Sequence, residues 1–165
     1  MTSSELKRGL ETARRLRKTG RNKQARKLLL GLLPNRPKDP RINYQCACVH
    51  DALGLEREAI PFYQRAIKSG LAGKDLENAY LGLGSTYRCV GRYPSAIRTL
   101  KQGQRRFPKS REFDPFLAMA YFNSGQHARA MELLLRCLAD TSRDPGVAEY
   151  RRAITFYADK LDKTW

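Results

Sequence analysis

The sequence lacks the features of a membrane, exported or disulfide-stapled protein. Its apolar runs, such as Leu28 to Leu33, are far shorter than the about 20 residues that a helix needs to span a bilayer. Residues 1–30 contain no apolar core of a secretory signal, and their acidic residues argue against an organellar transit peptide. The four cysteines form no C-x-x-C pair, which indicates reduced thiols. The sequence therefore predicts a cytoplasmic protein without a membrane span.

Metal ligands are also scarce. The chain has only two histidines, His50 and His127, and its one close cysteine pair is the C-x-C of Cys46 and Cys48. A tetrahedral zinc site needs four ligands at suitable spacing. These residues leave zinc as an alternative that the spacing disfavours, so the sequence predicts no metal and no cofactor.

No catalytic motif is complete. The run GLGST at residues 82–86 lacks the lysine of a P-loop and the third glycine of a dinucleotide-binding loop. His50 and Asp51 are neighbours in sequence, so on a helix their side chains diverge by about 100° and cannot form a dyad with each other. The sequence predicts a protein that is not an enzyme.

Acidic residues are few in comparison with basic ones. The chain has 16 Asp and Glu against 32 Lys and Arg, a formal charge of +16, together with 41% hydrophobic residues, which suffice for a folded domain. The net charge is +9 over residues 1–40, +7 over residues 41–110 and zero over residues 111–165. This asymmetry favours an acidic partner, and nucleic acid is an alternative.

A four-fold internal repeat is present. A glycine is followed five residues later by an alanine at Gly20/Ala25, Gly54/Ala59, Gly91/Ala96 and Gly125/Ala130. A small residue stands seven positions before each glycine (Ala13, Ala47, Gly84 and Ala118), and a large apolar residue stands nine positions after it (Leu29, Tyr63, Leu100 and Leu134). Such a period indicates stacked supersecondary units.

The spacing within each unit predicts two helices joined by a tight turn. Apolar residues around Tyr80, Leu83 and Tyr87 recur at a period near 3.6. Gly91 ends the first helix, because glycine accepts the left-handed conformation after a helix C-terminus. Pro94 suits the first turn of the next helix, and Pro108 prevents that helix from continuing.

This pattern resembles the tetratricopeptide repeat (TPR). Units at 6–39, 40–73, 77–110 and 111–144 fit, with residues 74–76 inserted, and 77–110 matches nearly every signature position. The stretch from Asp51 to about Lys160 is similar to a bacterial family of short stand-alone TPR proteins, which implies homodimers. The implied fold is all-α, a right-handed superhelical array of antiparallel helix pairs, an α-solenoid, forming a single domain over 1–165.

A further helix is expected after the fourth unit. Val147, Tyr150, Ile154, Tyr157 and Leu161 recur at steps of three and four residues. Terminal repeats of a solenoid need a cap with a polar outer face. The sequence therefore predicts one amphipathic capping helix over about 145–163.

The resemblance implies a protein-binding scaffold whose first helices line a concave groove. The residues expected to bind a protein or peptide partner there are Lys7, Arg14, Arg17, Lys18, Arg41, Tyr44, Asn78, Arg88, Met119 and Phe122. The groove would be cationic at one end and apolar at the other, which suits an acidic peptide with a hydrophobic anchor. It lacks the Lys and Asn pattern of the carboxylate clamp found in chaperone-binding relatives.

Two alternatives stay open for the basic surface. It is either a nucleic-acid or ribonucleoprotein-binding module that acts through charge, or a solvated face without a ligand. A second basic cluster lies on the second helices and turns, and it includes Arg92, Arg98, Lys101, Arg105, Arg106 and Lys109. No aromatic platform of the kind used by single-strand binders accompanies it.

Overall fold

The computed structural model describes residues 2–164, and these residues form helices and connecting turns without a β-strand. The all-α fold class predicted from the sequence is therefore confirmed. The helices are α1 (Ser3–Lys18), α2 (Asn22–Leu32), α3 (Pro40–Asp51), α4 (Glu56–Lys68), α5 (Gly73–Cys89), α6 (Tyr93–Arg106), α7 (Phe113–Asn123), α8 (His127–Thr141), α9 (Pro145–Glu149) and α10 (Arg151–Tyr157), with a 3-10 turn at Leu33–Asn35.

The helices belong to two compact units. Met1–Gly91 forms the first unit and Arg92–Trp165 forms the second. In the first unit α1 packs on α2, α2 on α3, α3 on α4 and α4 on α5. In the second unit α6 packs on α7, α7 on α8 and α8 on α10. The single domain over 1–165 stays a prediction.

The four repeat glycines adopt the backbone conformation that the sequence predicts. Gly20, Gly54, Gly91 and Gly125 have φ between 69° and 78°, a region in which a Cβ atom would be strained. At three of the turns the next amide, as in Arg21 N–H, donates to a carbonyl five residues back at 2.8–2.9 Å. This bond satisfies a helix-end carbonyl and reverses the chain direction. The pairs α1/α2 and α3/α4 in the first unit and α7/α8 in the second are therefore antiparallel.

Small residues are buried where neighbouring helices meet. Ala13, Ala47, Gly84 and Ala118 are buried, and so are the alanines of the second helices, Ala25, Ala59, Ala96 and Ala130. A side chain of one carbon or less lets two helix backbones approach closely while larger residues pack around them. In the first unit those larger residues include Leu6, Leu29 and Ile42. The small residues of the repeat pattern are therefore buried within both units.

A polar network joins three helices of the first unit. The Tyr63 hydroxyl of α4 donates to Asp51 Oδ2 of α3 at 2.7 Å, and Thr86 Oγ1 of α5 lies 3.0 Å from Asp51 Oδ1. Burial raises the pKa of the Asp51 carboxyl, although both hydrogen bonds oppose that shift. The network links α3, α4 and α5 by hydrogen bonds, but burying the Asp51 carboxylate costs free energy.

Residues 74–76, which interrupt the repeat period, extend α5. This helix begins at Gly73 and has 17 residues, so the inserted residues form nearly one additional N-terminal turn. Leu76 on this turn is buried, and Asp75 is partly exposed. The insertion therefore adds both a packing residue and a carboxylate to the first unit.

The predicted capping helix over 145–163 is wrong in its extent. Two short helices, α9 and α10, meet at Tyr150, and the second ends at Tyr157. Of the predicted apolar stripe, Ile154 and Val147 are half-buried, whereas Tyr150, Tyr157 and Leu161 are exposed. Seven residues of α10 are too few to cover the outer face of α8, so Leu134 stays 41% exposed where Leu29 and Leu100 are fully buried.

Two glycines in helices give opposite expectations for a change to alanine. A Cβ atom at Gly82 would lie 2.5 Å from the hydroxyl and 2.6 Å from the ring of buried Tyr63. Gly82→Ala should therefore lower the free energy of unfolding by about 1–3 kcal/mol. Gly31, in α2, has open space, and Gly31→Ala should raise it by about 0.5–1 kcal/mol. Urea denaturation measures both, and equal effects of the two changes would contradict the packing described.

The Asp51 network gives a pH dependence with a definite sign. Since the pKa of this carboxyl is raised on folding, the folded chain binds more protons than the unfolded chain between the ordinary value, about 4, and the raised one. Stability contributed by this group therefore falls as pH rises through that window. Unfolding free energies at pH 4 to 7 should show the native chain losing stability relative to Asp51→Asn. A difference that is constant, or that grows in favour of the native chain, refutes the assignment.

Candidate peptide-binding groove

The first helices of the first unit line an open hollow on the surface. Because α3 packs on both α1 and α5, the exposed sides of these helices face one space of about 630 Å³. We call it the basic groove. Its lining residues are Glu11, Arg14, Arg15, Arg17, Lys18, Asn22, Tyr44, Gln45, Ala52 and Asp75.

One guanidinium of the groove is paired with an acid. Arg14 of α1 donates to Asp75 Oδ2 of α5 at 2.7 Å, so the ion pair spans the groove. Both side chains are partly exposed, at 48% and 34%. Such a pair contributes little to stability and can be exchanged for another anion.

A second guanidinium is only partly satisfied. Arg17 donates through one terminal nitrogen to Gln45 Oε1 at 2.7 Å, but its buried Nε has no hydrogen-bond partner among the described residues. Asn22 Oδ1 is likewise buried there without a partner. Buried polar atoms without partners are costly, so these two atoms lower the stability of this part of the groove. The exposed side chains of Arg14, Arg15 and Lys18, rather than these two buried atoms, are accessible to a ligand.

The cations of the groove outnumber its acids. Within residues 2–164 no carboxylate lies within 4 Å of a side-chain nitrogen of Arg15, Arg17 or Lys18. Only Glu11 and Asp75 among the lining residues are acidic. The groove therefore presents uncompensated positive charge to an anionic ligand.

An aromatic wall adjoins the cations. Tyr44 of α3 is largely buried, and its ring centroid lies 6.4 Å from that of Tyr63 at an angle of 52°. Burial raises the pKa of the Tyr44 hydroxyl, while the neighbouring amide of Asn78 opposes the shift. The hydroxyl is therefore a neutral hydrogen-bonding group beside the guanidinium groups.

Four of the residues predicted from the sequence lie together in this groove. Arg14, Arg17 and Lys18 of α1 and Tyr44 of α3 all line it. Asn78 of α5 is half-buried beside Tyr44. That these residues bind a partner stays a prediction.

The other predicted residues lie elsewhere. Lys7 is exposed on the first half of α1 and is not among the lining residues. Arg41 pairs with Asp39 at 2.8 Å at the start of α3, and Arg88 is half-buried near the end of α5. Met119 and Phe122 are exposed in the second unit, where Phe122 packs edge-on against His127 at 4.6 Å.

Several lining residues were not predicted. Asp75 falls in the insertion, outside the repeat register from which groove positions are counted. Gln45 stands next to the predicted Tyr44, and Asn22 follows the first turn. Only Gln45 lies on a helix face that periodicity could have flagged, whereas the other two positions depend on tertiary packing.

The groove holds no activated nucleophile. Cys48 lies behind Tyr44, and burial raises the pKa of its thiol; burial also raises the pKa of Cys46 to about 12. Both thiols are therefore protonated near neutral pH and unreactive. Within residues 2–164 no group of three or more metal-ligating side chains is assembled. The arrangement suits binding of an anionic group by guanidinium, amide and phenol groups.

These features define a class, a helical-repeat scaffold for protein–protein interaction. The chain belongs to the tetratricopeptide repeat family: the profile described as Tetratrico peptide repeat matches residues 40–161. Members of this family are generally non-catalytic. Among the helices of residues 2–164, none combines the length and the hydrophobicity that a bilayer span requires.

Solved structures show the same fold at low sequence identity. A MamA fragment from Desulfovibrio magneticus RS-1 is 16% identical with a TM-score of 0.73, covering 94% of this chain and 86% of that one. PilF of Pseudomonas aeruginosa is 17% identical with a TM-score of 0.70, covering 96% and 77%. No curated protein sequence matches the chain.

The Arg14–Asp75 pair predicts a gain of binding on removal of the acid. Asp75→Asn should change the free energy of unfolding by less than about 1 kcal/mol, because the pair is partly exposed. It should raise affinity for a glutamate-rich peptide by up to about tenfold, or 1.4 kcal/mol, because Arg14 is freed. Isothermal titration calorimetry measures this change.

Asp140→Asn is the matched control for that prediction. Asp140 pairs with Arg111 at 2.8 Å in the second unit and gives the same change in net charge. It should leave affinity for the peptide almost unchanged. Equal gains in the two variants would show that net charge rather than the groove controls binding.

Proposed function

We propose that the chain is a non-catalytic adaptor that binds an acidic segment of a partner protein in the basic groove. The single observation that supports this most is the presence of Arg14, Arg15, Arg17 and Lys18 in one groove whose lining includes two acidic residues, Glu11 and Asp75. A carboxylate accepts two hydrogen bonds from a guanidinium, and such bonds are stronger than those between neutral groups. The exposed side chains of Arg14 and Arg15 can form such bonds in the groove.

The shape of the groove favours a peptide. Helices α1, α3 and α5 each contribute lining residues, so an extended chain lying across them would meet cations first and Tyr44 next. Acidic residues followed by an apolar or aromatic residue match this order. The carboxylate clamp pattern is missing from the sequence, which argues against binding of a chaperone C-terminus.

Nucleic acid is the alternative ligand, and the observed geometry favours it less. Charge alone attracts RNA or DNA to a chain of +16. Proteins that bind single strands also offer aromatic platforms on which bases stack. Tyr44, the aromatic residue of the groove, is largely buried. Stacking on it would be restricted.

Three expectations from the sequence stay predictions. They are a cytoplasmic location, a bacterial origin and assembly as a homodimer. The exposed apolar residues of α8, Met131, Leu134 and Leu138, are a surface on which a dimer would bury apolar area.

Selection from a peptide library tests the proposal. Random peptides of about 12 residues selected on the native chain should be enriched in Asp and Glu, with an apolar residue beside them. The selected peptides should bind the triple variant Arg14→Gln, Arg17→Gln, Lys18→Gln at least about tenfold more weakly, a loss of 1.4 kcal/mol or more. Fluorescence anisotropy at physiological salt measures the affinities.

A charge-matched variant controls for the loss of three cations. Arg105, Arg106 and Lys109 are exposed at the end of α6 and beyond it. Their replacement by Gln should change peptide affinity by less than about twofold. Selection of peptides without acidic enrichment, or tighter binding of polyuridylate than of any selected peptide through Arg14 and Arg17, would refute the proposal.

A further inference from the structure

A second hollow lies on the first unit, apart from the basic groove. It has a volume of about 550 Å³, and none of its lining residues lines the basic groove. Helix α2 supplies Lys23, Arg26, Lys27 and Leu30, and the α3–α4 turn supplies Leu53 and Leu55. We call it the leucine hollow. The resemblance to TPR proteins does not account for it, because its cations lie on a second helix of a pair.

The cations of this hollow form one edge and the leucines its floor. Lys23, Arg26 and Lys27 stand at positions i, i+3 and i+4, so they share one face of α2, and Leu30 follows one turn later. Leu30 is 36% exposed, and Leu53 and Leu55 are half-buried. Within residues 2–164 no carboxylate pairs with the three cations.

A hydrogen bond to the buried His50 ring fixes the position of the Arg26 side chain. Its Nε donates to Nε2 of His50 at 3.1 Å, and Nδ1 of His50 lies 2.7 Å from the carbonyl oxygen of Cys46. The His50 ring is 2% exposed and stacks on Phe62 at 4.9 Å. A guanidinium fixed in this way loses little side-chain entropy when it pairs with an acid.

The chemistry of the hollow selects among polyanions. Proteins that bind single-stranded nucleic acid offer aromatic rings on which bases stack, and the lining residues include none, so a single strand would be held here mainly by charge. A lipid bilayer is flat and meets protruding surfaces, whereas this surface is recessed and needs a convex occupant. A helix with apolar side chains on one face and carboxylates beside them is convex and complementary in charge.

We propose that the leucine hollow binds an acidic amphipathic helix of a partner protein. Leucine-like side chains of that helix would enter among Leu30, Leu53 and Leu55. Its carboxylates, spaced by one turn, would pair with Lys23, Arg26 and Lys27. The chain then carries two docking surfaces on its first unit, one for an acidic extended segment and one for an acidic helix.

A designed peptide serves as the probe. It has about 15 residues, roughly four helical turns, with leucines at every third or fourth position and glutamates at most others. A scrambled peptide of the same composition has no apolar face. The amphipathic peptide should bind the unmodified 165-residue chain at least about tenfold more tightly than the scrambled one, as measured by anisotropy at physiological salt.

Paired variants assign the binding to this surface. The variant Lys23→Gln, Arg26→Gln, Lys27→Gln and the variant Leu30→Ser should each weaken the amphipathic peptide at least about tenfold. The triple variant has as its control the triple variant Arg105→Gln, Arg106→Gln, Lys109→Gln, and Leu30→Ser has as its control Leu134→Ser. Each control should change the affinity for the amphipathic peptide by less than about twofold. Leu134 is 41% exposed and is thus a fair match for Leu30.

The remaining outcomes contradict the proposal. Equal affinity for both peptides shows charge attraction alone, and equal losses in the controls show binding elsewhere. Tighter binding of polyuridylate or of phosphatidylserine vesicles through Lys23, Arg26 and Lys27 assigns the hollow to that partner instead. A loss seen only with Arg14→Gln, Arg17→Gln, Lys18→Gln would place the helix in the basic groove and leave the proposed function intact.

Discussion

The close approach of helices at small buried residues is the constraint on which the rest of the first unit depends. Ala13 and Ala47 are fully buried in the packed helices of the first unit, and a larger side chain at either position would push the backbones apart. Because α1, α3 and α5 are this close, Arg17 reaches Gln45 and Arg14 reaches Asp75. The groove is therefore a consequence of core packing, although its charges contribute nothing to the core.

The sequence was sufficient for the fold because its strongest signals are local. Each turn has a glycine with a left-handed backbone conformation after the first helix of the pair, followed five residues later by an alanine. The same pattern recurs at all four turns. The end of the array was mispredicted for the opposite reason. The apolar spacing of Tyr150, Tyr157 and Leu161 is helical, but helical spacing does not say that a packing partner exists, and these residues are exposed.

The site was predicted only in part, since it depends on contacts between distant segments. Arg14, Arg17 and Tyr44 follow from the repeat register, whereas Asp75 lies in an insertion that the register omits. The repeat register also placed Arg41 in the groove, but its guanidinium pairs instead with Asp39, the N-cap residue of α3. The leucine hollow combines a helix face with a turn, and no single stretch of sequence contains it.

A backbone NMR titration with an acidic peptide obtained by selection on the native chain tests the central claim most directly. The account predicts chemical-shift changes that cluster at Arg14, Arg17, Tyr44 and Gln45 and that persist at physiological salt. Changes spread over the many cations of the surface, or centred on α6 or α8, would show that the basic groove is not the binding site.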